Sequence, residues 1–280
     1  MSISIVMLSF NQIEFLNRAI NSVLNQELVE LQLIIVDPGS TDGSRELAQR
    51  IASEDNRVVL IFEPDSGPAD GLNKGFARAK NEFVGYLNSD DVYLPSTLSL
   101  VEGNFKSNAD ADVIYGHGVI LDERKQGKLQ FAFSDKISTT KIRTNTARIM
   151  QQSTFFRKES LDDSRILFNT KNITCWDFEF IVNSFISGLR LVRVQEVFGV
   201  LRIHSNSITG GNLNFQKYEA DKNRIIGEVG SNMKGRTSIF YILYSLGYRI
   251  SRQVKIFVLR NRFQEKIKEF SKIENISSME

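Results

Sequence analysis

The chain has 280 residues, of which 41% are hydrophobic and 24% charged, which is enough for one large α/β domain with an extension or for two small domains. A formal net charge of +2, with no DNA-binding or RNA-binding motif, gives no case for nucleic acid as a partner, and a single cysteine excludes an internal disulfide framework and a multi-cysteine zinc site. No apolar run approaches the roughly 20 residues that span a bilayer, and Met1 leads directly into a short apolar segment, so we expect no secretory signal. The single cysteine favours a reducing cytoplasm, with a peripheral position at the inner face of the cytoplasmic membrane as a further expectation.

Apolar runs and helical apolar stripes alternate along the first ninety residues. Each run is short and almost wholly apolar, as expected for a strand buried on both faces, and each stripe has the spacing of one helix face. This order predicts an α/β fold with a mostly parallel sheet and right-handed crossovers. We predict strands at 3–8, 31–36, 58–62 and 83–88, and helices at 12–25, 45–51 and 69–80.

Polar side chains stand where these strands end. Ser9 follows the first strand, Asp37 follows the second, and the cluster from Asn88 to Asp91 ends the fourth. Because the carboxyl ends of parallel strands meet at one edge, we expect a nucleotide site there. The chain has no P-loop and no Gly-x-Gly-x-x-Gly after its first strand, which disfavours an ATPase or a dinucleotide-dependent enzyme.

The adjacent carboxylates of Asp90 and Asp91 have two interpretations. Mg²⁺ or Mn²⁺ prefers oxygen ligands and often uses one or two carboxylates together with the phosphates of its substrate. Alternatively, the two acids cap a helix, since Pro95 lies near the expected start of the next one.

The second half of the chain alternates less regularly. His117, which lies beside two glycines at the end of a strand, could face the cleft, but we predict it to be a solvated turn residue. The polar and basic residues 122–146 predict an excursion over the site. The remaining predicted elements are a helix at 95–106, strands at 112–118, 151–157, 191–194 and 198–203, and a helix from 178 to 186.

Two further residues are candidates for chemistry. Asp177 lies in the first turn of the helix whose apolar stripe runs from 178 to 186. There it could be a general base or, with Thr174, part of a capping box of the [ST]-x-x-[DE] type. His204 ends a strand in a polar loop, where an isolated histidine is more often structural than a ligand.

The last part of the chain is helical in pattern and rich in basic residues. Residues 239–248 are densely apolar and aromatic, with basic residues on either side. Such a segment can lie on an anionic membrane surface, which we expect through residues 234–268, or it can pack on the main domain or on a second subunit. We therefore divide the chain into a domain at 1–211 and a basic amphipathic extension at 212–280.

In their order and spacing, these motifs resemble a family-2 glycosyltransferase of the GT-A fold, of the kind that builds bacterial lipopolysaccharide and other cell-surface polysaccharides. The resemblance covers about residues 2–209. Its landmarks are Ser9-Phe10-Asn11, the segments 36–44 and 65–75, Leu87-Asn88-Ser89-Asp90-Asp91, the segment 152–156, Asp177 and Arg202-Ile203-His204.

The resemblance implies a nucleotide-sugar donor and an inverting transfer to a hydroxyl of a glycan or lipid-linked acceptor. Asp177 matches the catalytic base, and a bound Mn²⁺ or Mg²⁺ would neutralise the departing diphosphate. It implies Asp90, Asp91 and His204 as metal contacts. It implies nucleotide-sugar contacts from Ser9, Asn11, Asp37, Asp70, Asn73, Asn88, Ser89 and Asp90.

Three residues depart from the family pattern. Pro38 replaces a second acid that reads uracil in many relatives, although we expect a uridine donor, and Asn88 replaces a frequent aspartate. Trp176 precedes the expected base and could stack on an acceptor sugar or fill the core.

A phosphohydrolase with Asp37 as nucleophile is disfavoured because Gly39 stands where a second acid is needed. A non-catalytic nucleotide-sugar-binding or assembly subunit with the same fold stays an alternative.

Overall fold

The computed structural model describes residues 2–27, 30–207, 215–230, 248, 251–259, 263–265, 267–268 and 270–271. Its strands are β1 (Ser2–Leu8), β2 (Glu30–Val36), β3 (Val58–Ile61), β4 (Phe83–Asn88), β5 (Val92–Tyr93), β6 (Val113–Asp122), β7 (Lys128–Ala132), β8 (Thr154–Arg157) and β9 (Leu191–Ile203). Its α-helices are α1 (Ile13–Leu24), α2 (Ser44–Glu54), α3 (Pro68–Arg78), α4 (Thr97–Ser107), α5 (Thr139–Arg143), α6 (Lys158–Ser164), α7 (Trp176–Ile186) and α8 (Phe215–Gly230).

The strands form one sheet in the order β3-β2-β1-β4-β8-β6-β9-β5, and β7 pairs with β6. The first four strands of this order are parallel to one another, as are β6 and β9, whereas β8 runs antiparallel between β4 and β6. The predicted α/β fold with a mostly parallel central sheet is therefore confirmed.

Helices cover both faces of the sheet. One face buries the apolar stripes of α1, α2 and α4 against β1, β2 and β4. The other buries α3, α6, α7 and α8, and includes an aromatic cluster in which Phe168 and Phe180 stack with their centroids 3.8 Å apart. Burial on both faces explains why the strands of this sheet read as continuous apolar runs rather than as alternating ones.

Two predictions in the second half of the chain are wrong. His117 is not a solvated turn residue, because β6 continues through it and leaves its side chain fully buried. Its Nδ1 accepts a hydrogen bond from the Ser134 N–H at 3.0 Å, and its ring stacks on Phe133. The strands predicted at 191–194 and 198–203 are one strand, β9, which passes a bulge beside β6 without a turn. Gly116 permits this close approach, because a Cβ there would lie 2.6 Å from the Glu196 carbonyl oxygen.

The described part of the extension packs on the main domain. In α8, Ile225 and Val229 are buried in the core shared with α7, and farther along the chain Phe263, Ile267 and Phe270 are buried beside β5, β6 and β7. Within the described residues, no helix is both long and apolar enough to cross a bilayer. Residues 231–247, which include nearly all of the apolar and aromatic stretch at 239–248, lie outside the described residues.

Candidate active site

A cleft with a volume of about 650 Å³ opens where the parallel strands end. Leu8 of β1 is in register with Val36 of β2 and with Asn88 of β4, so the residues that follow these strands stand at one edge. The predicted site residues that line the cleft are Ser9, Asn88, Ser89, Asp90 and Asp177. It is also lined by Pro38, Asp65, Gly67, Pro68, Gln151, Thr174, Trp176 and Arg202, among others.

The structure brings Asp90 and His204 together across 114 residues of chain. Nε2 of His204 lies 3.2 Å from Oδ2 of Asp90, and the imidazole ring packs 4.7 Å from the ring of Phe15. His204 follows β9 directly, so the pairing of β9 with β6 and β5 delivers it to the end of β4. A histidine that is isolated in sequence thus belongs to a carboxylate–imidazole pair in space.

Asp91, in contrast, points into the core. It is fully buried, and its Oδ2 accepts a hydrogen bond from Nε2 of Gln152 at 2.7 Å while its Oδ1 accepts one from the Arg202 N–H at 2.9 Å. Burial and the neighbouring Asp90 carboxylate raise the pKa of Asp91 well above its usual value. The structure does not bring the carboxylate of Asp91 to the cleft, and its hydrogen bonds join the end of β4 to β9.

The helix-capping interpretation of these two acids is wrong. The residue before α4 is Ser96, which has a φ of 59° and makes no side-chain cap, and β5 lies between the acids and the helix. The main-chain carbonyl of Asp90 instead accepts a hydrogen bond from Nε of Arg202 at 3.0 Å. The turn from β4 to β5 is therefore held by β9.

Asn11 and Asp37 are held in the turns that follow β1 and β2. Oδ1 of Asn11 accepts a hydrogen bond from the Thr41 N–H, and the Asp37 carboxylate, 1% exposed, accepts hydrogen bonds from Ser40 and from Nε of Arg45. Burial would raise the pKa of Asp37, yet these hydrogen bonds hold it below its usual value. The structure does not place either side chain in the wall of the cleft.

Asp70 and Asn73 of α3 have comparable positioning contacts. Asp70 accepts a hydrogen bond from the Ser66 N–H at 2.9 Å and lies 3.5 Å from Nζ of Lys74. The amide of Asn73 donates to the Phe168 carbonyl oxygen and accepts from the Phe168 N–H, each at 2.9 Å. Asn73 therefore ties α3 to the loop that leads into α7, and neither residue lines the cleft.

Asp177 occupies the first turn of α7 at the cleft wall. The capping box predicted for Thr174 and Asp177 is wrong, because α7 has no side-chain cap and the Thr174 hydroxyl donates to Oδ2 of Asp221 at 2.7 Å. Burial raises the pKa of Asp177 above its usual value, against hydrogen bonds from its own N–H and that of Phe178 and against the charge of Lys222. A carboxylate with a raised pKa that faces a cleft can take a proton from a bound hydroxyl.

Sequence reasoning missed one residue at this site. Asp65, which lines the cleft, follows β3 and has a pKa raised by burial. Its position at a strand end was the signal that could have identified it. The indole Nε1 of Trp176 is buried without a hydrogen-bond partner among the described residues. Its side chain is 6% exposed and forms part of the cleft wall, so it belongs to both the core and the site.

A divalent cation fits the donor atoms at Asp90. No three histidine, cysteine or acidic side chains gather into a metal cage within the described residues. Asp90 offers one carboxylate at the cleft, and His204, which is not in the cleft wall, offers one imidazole beside that carboxylate. Mg²⁺ and Mn²⁺ commonly take their other ligands from substrate phosphates and water. The pair therefore suits a cation that arrives with a diphosphate.

Comparison with known proteins places the chain in a family. The model of "Glycosyl transferase family 2" matches residues 4–165, which is more than half of the chain and does not reach Asp177 or His204. A relative from Campylobacter jejuni, a GalNAc(5)-diNAcBac-PP-undecaprenol beta-1,3-glucosyltransferase, is 30% identical over 136 residues, which are 48% of this chain. The chain spans only 42% of the length of that relative.

Two solved structures share the fold at low sequence identity. TarS of S. aureus, residues 1–349 with UDP-GlcNAc, has a TM-score of 0.66 and 17% identity over 84% of this chain and 68% of its own. The mannosyltransferase PcManGT of Pyrobaculum calidifontis, with GDP-Man and Mn²⁺, has a TM-score of 0.61 and 14% identity over 88% and 69%. With its GT-A fold and the match of the family model, the chain belongs to glycosyl transferase family 2.

Proposed function

We propose that this protein transfers a sugar from a nucleotide-sugar donor to a hydroxyl of a glycan or lipid-linked acceptor in the synthesis of a cell-surface polysaccharide. The observation that carries the proposal is one cleft lined both by Asp90, paired with His204, and by Asp177. Asp90 and His204 suit the binding of a diphosphate with its cation, and Asp177 suits the role of proton acceptor. The lipid-linked glycan acceptor is supported by the name of the Campylobacter relative, which contains undecaprenol.

In the proposed reaction, Asp177 removes the proton from the acceptor hydroxyl. The hydroxyl oxygen then attacks the anomeric carbon, and the bond from this carbon to the diphosphate oxygen breaks on the opposite side, so the configuration inverts. The diphosphate leaves with the bonding electrons, and the proton stays on Oδ of Asp177. The raised pKa of Asp177 favours this step because a stronger base takes a proton more readily near neutral pH.

We propose Asp90 and His204 as the protein contacts of Mn²⁺ or Mg²⁺. When bound, such a cation would act as a Lewis acid that neutralises charge on the diphosphate. Asp91 contributes indirectly, since its buried hydrogen bonds to Gln152 and Arg202 fix the turn that carries Asp90. PcManGT, a structure of the same fold, contains Mn²⁺, which supports a divalent cation here.

We propose that the nucleotide lies against Ser9, Pro38 and Asp65, with its diphosphate toward Ser89 and Asp90. The hydroxyl of Ser9 is buried at the cleft and has no hydrogen-bond partner among the described residues. Uridine is our expectation for the base. In this arrangement Asn11, Asp37, Asp70 and Asn73 serve the donor through the loops that they hold.

A calorimetric titration with UDP and with GDP, each in Mn²⁺ or in EDTA, tests the donor site. We expect UDP to bind only with the cation, and Asp90→Ala to abolish this binding. Asp163→Ala is the matched control, because Asp163 is an exposed acid of α6. Asp177→Asn should bind UDP as the wild type does and should release no UDP from a UDP-sugar with acceptor. A folded protein that binds neither nucleotide would contradict the donor site, whereas binding without any turnover in the wild type favours the non-catalytic subunit.

We also propose that the end of the extension contacts an anionic lipid surface. Residues 251–259 are helical, and Val254, Phe257 and Val258 are each more than 60% exposed at positions that share one helix face. Ile256 and Leu259 pack against the core on another face, and Lys255 is exposed beside the apolar strip. An exposed apolar strip with adjacent positive charge is typical of helices that lie on membranes.

Co-sedimentation with vesicles tests this contact. We expect the protein to bind vesicles that contain phosphatidylglycerol, and the triple change Val254→Ser, Phe257→Ser and Val258→Ser to weaken binding at least about tenfold, since each loses buried apolar area. The control is Phe215→Ser, which removes an equally exposed apolar side chain from α8. Vesicle binding unchanged in the triple variant, or a dimer in solution that the triple variant dissociates, would contradict the membrane assignment.

A further inference from the structure

The first turn of α7 is fixed by contacts from outside the helix. Its N-terminus has no side-chain cap, and the preceding loop is instead held by the amide of Asn172, whose Oδ1 accepts hydrogen bonds from the N–H groups of Thr174 at 3.1 Å and Cys175 at 3.0 Å. Asp177 follows two residues later. The position of the proposed base therefore depends on what holds Asn172.

Glu179 is the centre of that network. Its side chain is 4% exposed and accepts hydrogen bonds from Nδ2 of Asn169 at 2.9 Å and from Nδ2 of Asn172 at 2.7 Å. Nη1 and Nη2 of Arg224 donate to this carboxylate, each at 2.9 Å. A bidentate pair fixes orientation as well as charge, and here its carboxylate is buried while its guanidinium is partly exposed. Arg224 belongs to α8, so α8 determines where the loop and the first turn of α7 lie.

Two more residues of α8 reach the same place. Oδ2 of Asp221 accepts the hydroxyl of Thr174 at 2.7 Å, at a residue that lines the cleft. Lys222 is 7% exposed, and its Nζ donates to the Tyr218 hydroxyl at 2.9 Å. Burial has the largest effect on the pKa of Asp177 and raises it, whereas the charge of Lys222 acts to lower it.

Nζ of Lys222 lies 5.8 Å from the ring centroid of Phe178, the residue after Asp177, and its charge acts to lower the pKa of Asp177. The other titratable groups that interact with Asp177 are the Tyr86 hydroxyl on β4 and the Cys175 thiol before α7. Burial raises the pKa of both, so both are neutral near pH 7. Removal of Lys222 should therefore raise the pKa of Asp177, with Asp221 of α8 as the other acid beside this loop.

We propose that α8 is a working part of the active site: Arg224, through Glu179 and Asn172, orients Asp177, and Lys222 supplies positive charge beside it. This assignment rests on the proposed function. It makes Arg224 and Lys222 positioning residues rather than catalytic ones, since they act through Asp177. It also means that the first helix of the predicted extension is needed for turnover and not only for docking.

Arg224→Gln and Lys222→Met test the proposal in the full-length chain. We expect Arg224→Gln to lower kcat roughly tenfold to a hundredfold, because misplacement of a catalytic group by about 1 Å has effects of that size, while the Kd for UDP with Mn²⁺ changes less than about twofold. Arg224→Lys should recover part of the rate, and Lys222→Met should move the acidic limb of the pH profile of kcat/KM to higher pH. Controls are Glu228→Gln, which removes the other carboxylate beside Arg224, and Lys217→Met, an exposed lysine of α8.

Every outcome decides between the assignments. Wild-type kcat in Arg224→Gln and an unmoved pH limb in Lys222→Met, with Asp177→Asn inactive, overturn the role of α8 and leave the proposed function intact. Full turnover in Asp177→Asn overturns the proposed base itself. If the wild type turns over no donor, amide hydrogen exchange at residues 169–179 decides: faster exchange confined there in Arg224→Gln supports the positioning role, and unchanged exchange overturns it.

Discussion

Truncation of the two acids after β4 should destabilise the protein by clearly different amounts. Asp91→Ala removes both oxygens that accept the Arg202 N–H and the Gln152 amide, and leaves two buried donors without a partner. Each such donor costs about 1–3 kcal/mol, and relief from burying the carboxylate offsets part of the sum, so we expect a loss of about 3 kcal/mol in the free energy of unfolding. Asp90, at the cleft, loses only its contact with His204, and we expect Asp90→Ala to lose less than about 1 kcal/mol.

Urea unfolding measures both values. The single tryptophan, Trp176, is buried and reports unfolding by fluorescence. We expect the midpoint of Asp91→Ala to fall clearly below that of Asp90→Ala, with equal dependence on urea concentration. Equal midpoints for the two variants, or a lower one for Asp90→Ala, would refute the division of labour between these acids.

Three further predictions concern the fold. Gly116→Ala should lower the free energy of unfolding by about 2 kcal/mol, because the added methyl group would lie 2.6 Å from the Glu196 carbonyl oxygen. Gly103→Ala, which has open space around it in α4, should raise the free energy of unfolding by roughly 0.5–1 kcal/mol. Urea midpoints that shift in the same direction in both variants would contradict this prediction. Burial raises the pKa of Asp37, but hydrogen bonds lower it by more, so the net shift is downward and the ionised carboxylate stabilises the fold. The difference in the free energy of unfolding between wild type and Asp37→Asn should therefore shrink as the pH falls below about 4. Burial lowers the pKa of His117 to about 4, so as the pH falls the unfolded chain takes up a proton at this histidine before the folded protein does. The free energy of unfolding should therefore fall by about 3 kcal/mol between pH 6.5 and pH 4. Urea unfolding at a series of pH values should show this decrease in the wild type and not in His117→Gln.

Periodicity predicted the alternating first half of the chain because each of those strands is buried on both faces and each helix has one apolar stripe. It could also align Ser9, Asp37 and Asn88 at one edge, since strand ends follow from strand bounds. It could not predict the direction of a side chain beyond the strand. The Asp37 carboxylate turns back toward Arg45, and the backbone of Asn11 adopts a φ of 52°, both through contacts between separate turns.

Partners far apart in sequence account for the other differences. β5 has two residues, too few for any period, and exists because it pairs with β9. The environment of His117 depends on Phe133 and Ser134, and that of His204 on Asp90. The resemblance to a family supplied Asp90 and His204 as a pair, which no local pattern contains. It also grouped Asp91 with them, although the structure turns this residue inward.

The pairing of β9 with β6 implies an order of assembly during synthesis. β1 to β4 pair with one another within the first 88 residues, so the donor side of the sheet can fold while the rest of the chain is still on the ribosome. His204 reaches Asp90 only after β9 has been made and has paired across about 80 residues of chain, a slow step because distant segments must meet. In a nascent chain, the sheet edge at which we propose that the nucleotide binds would thus lack the Asp90–His204 pair until nearly the whole domain has emerged.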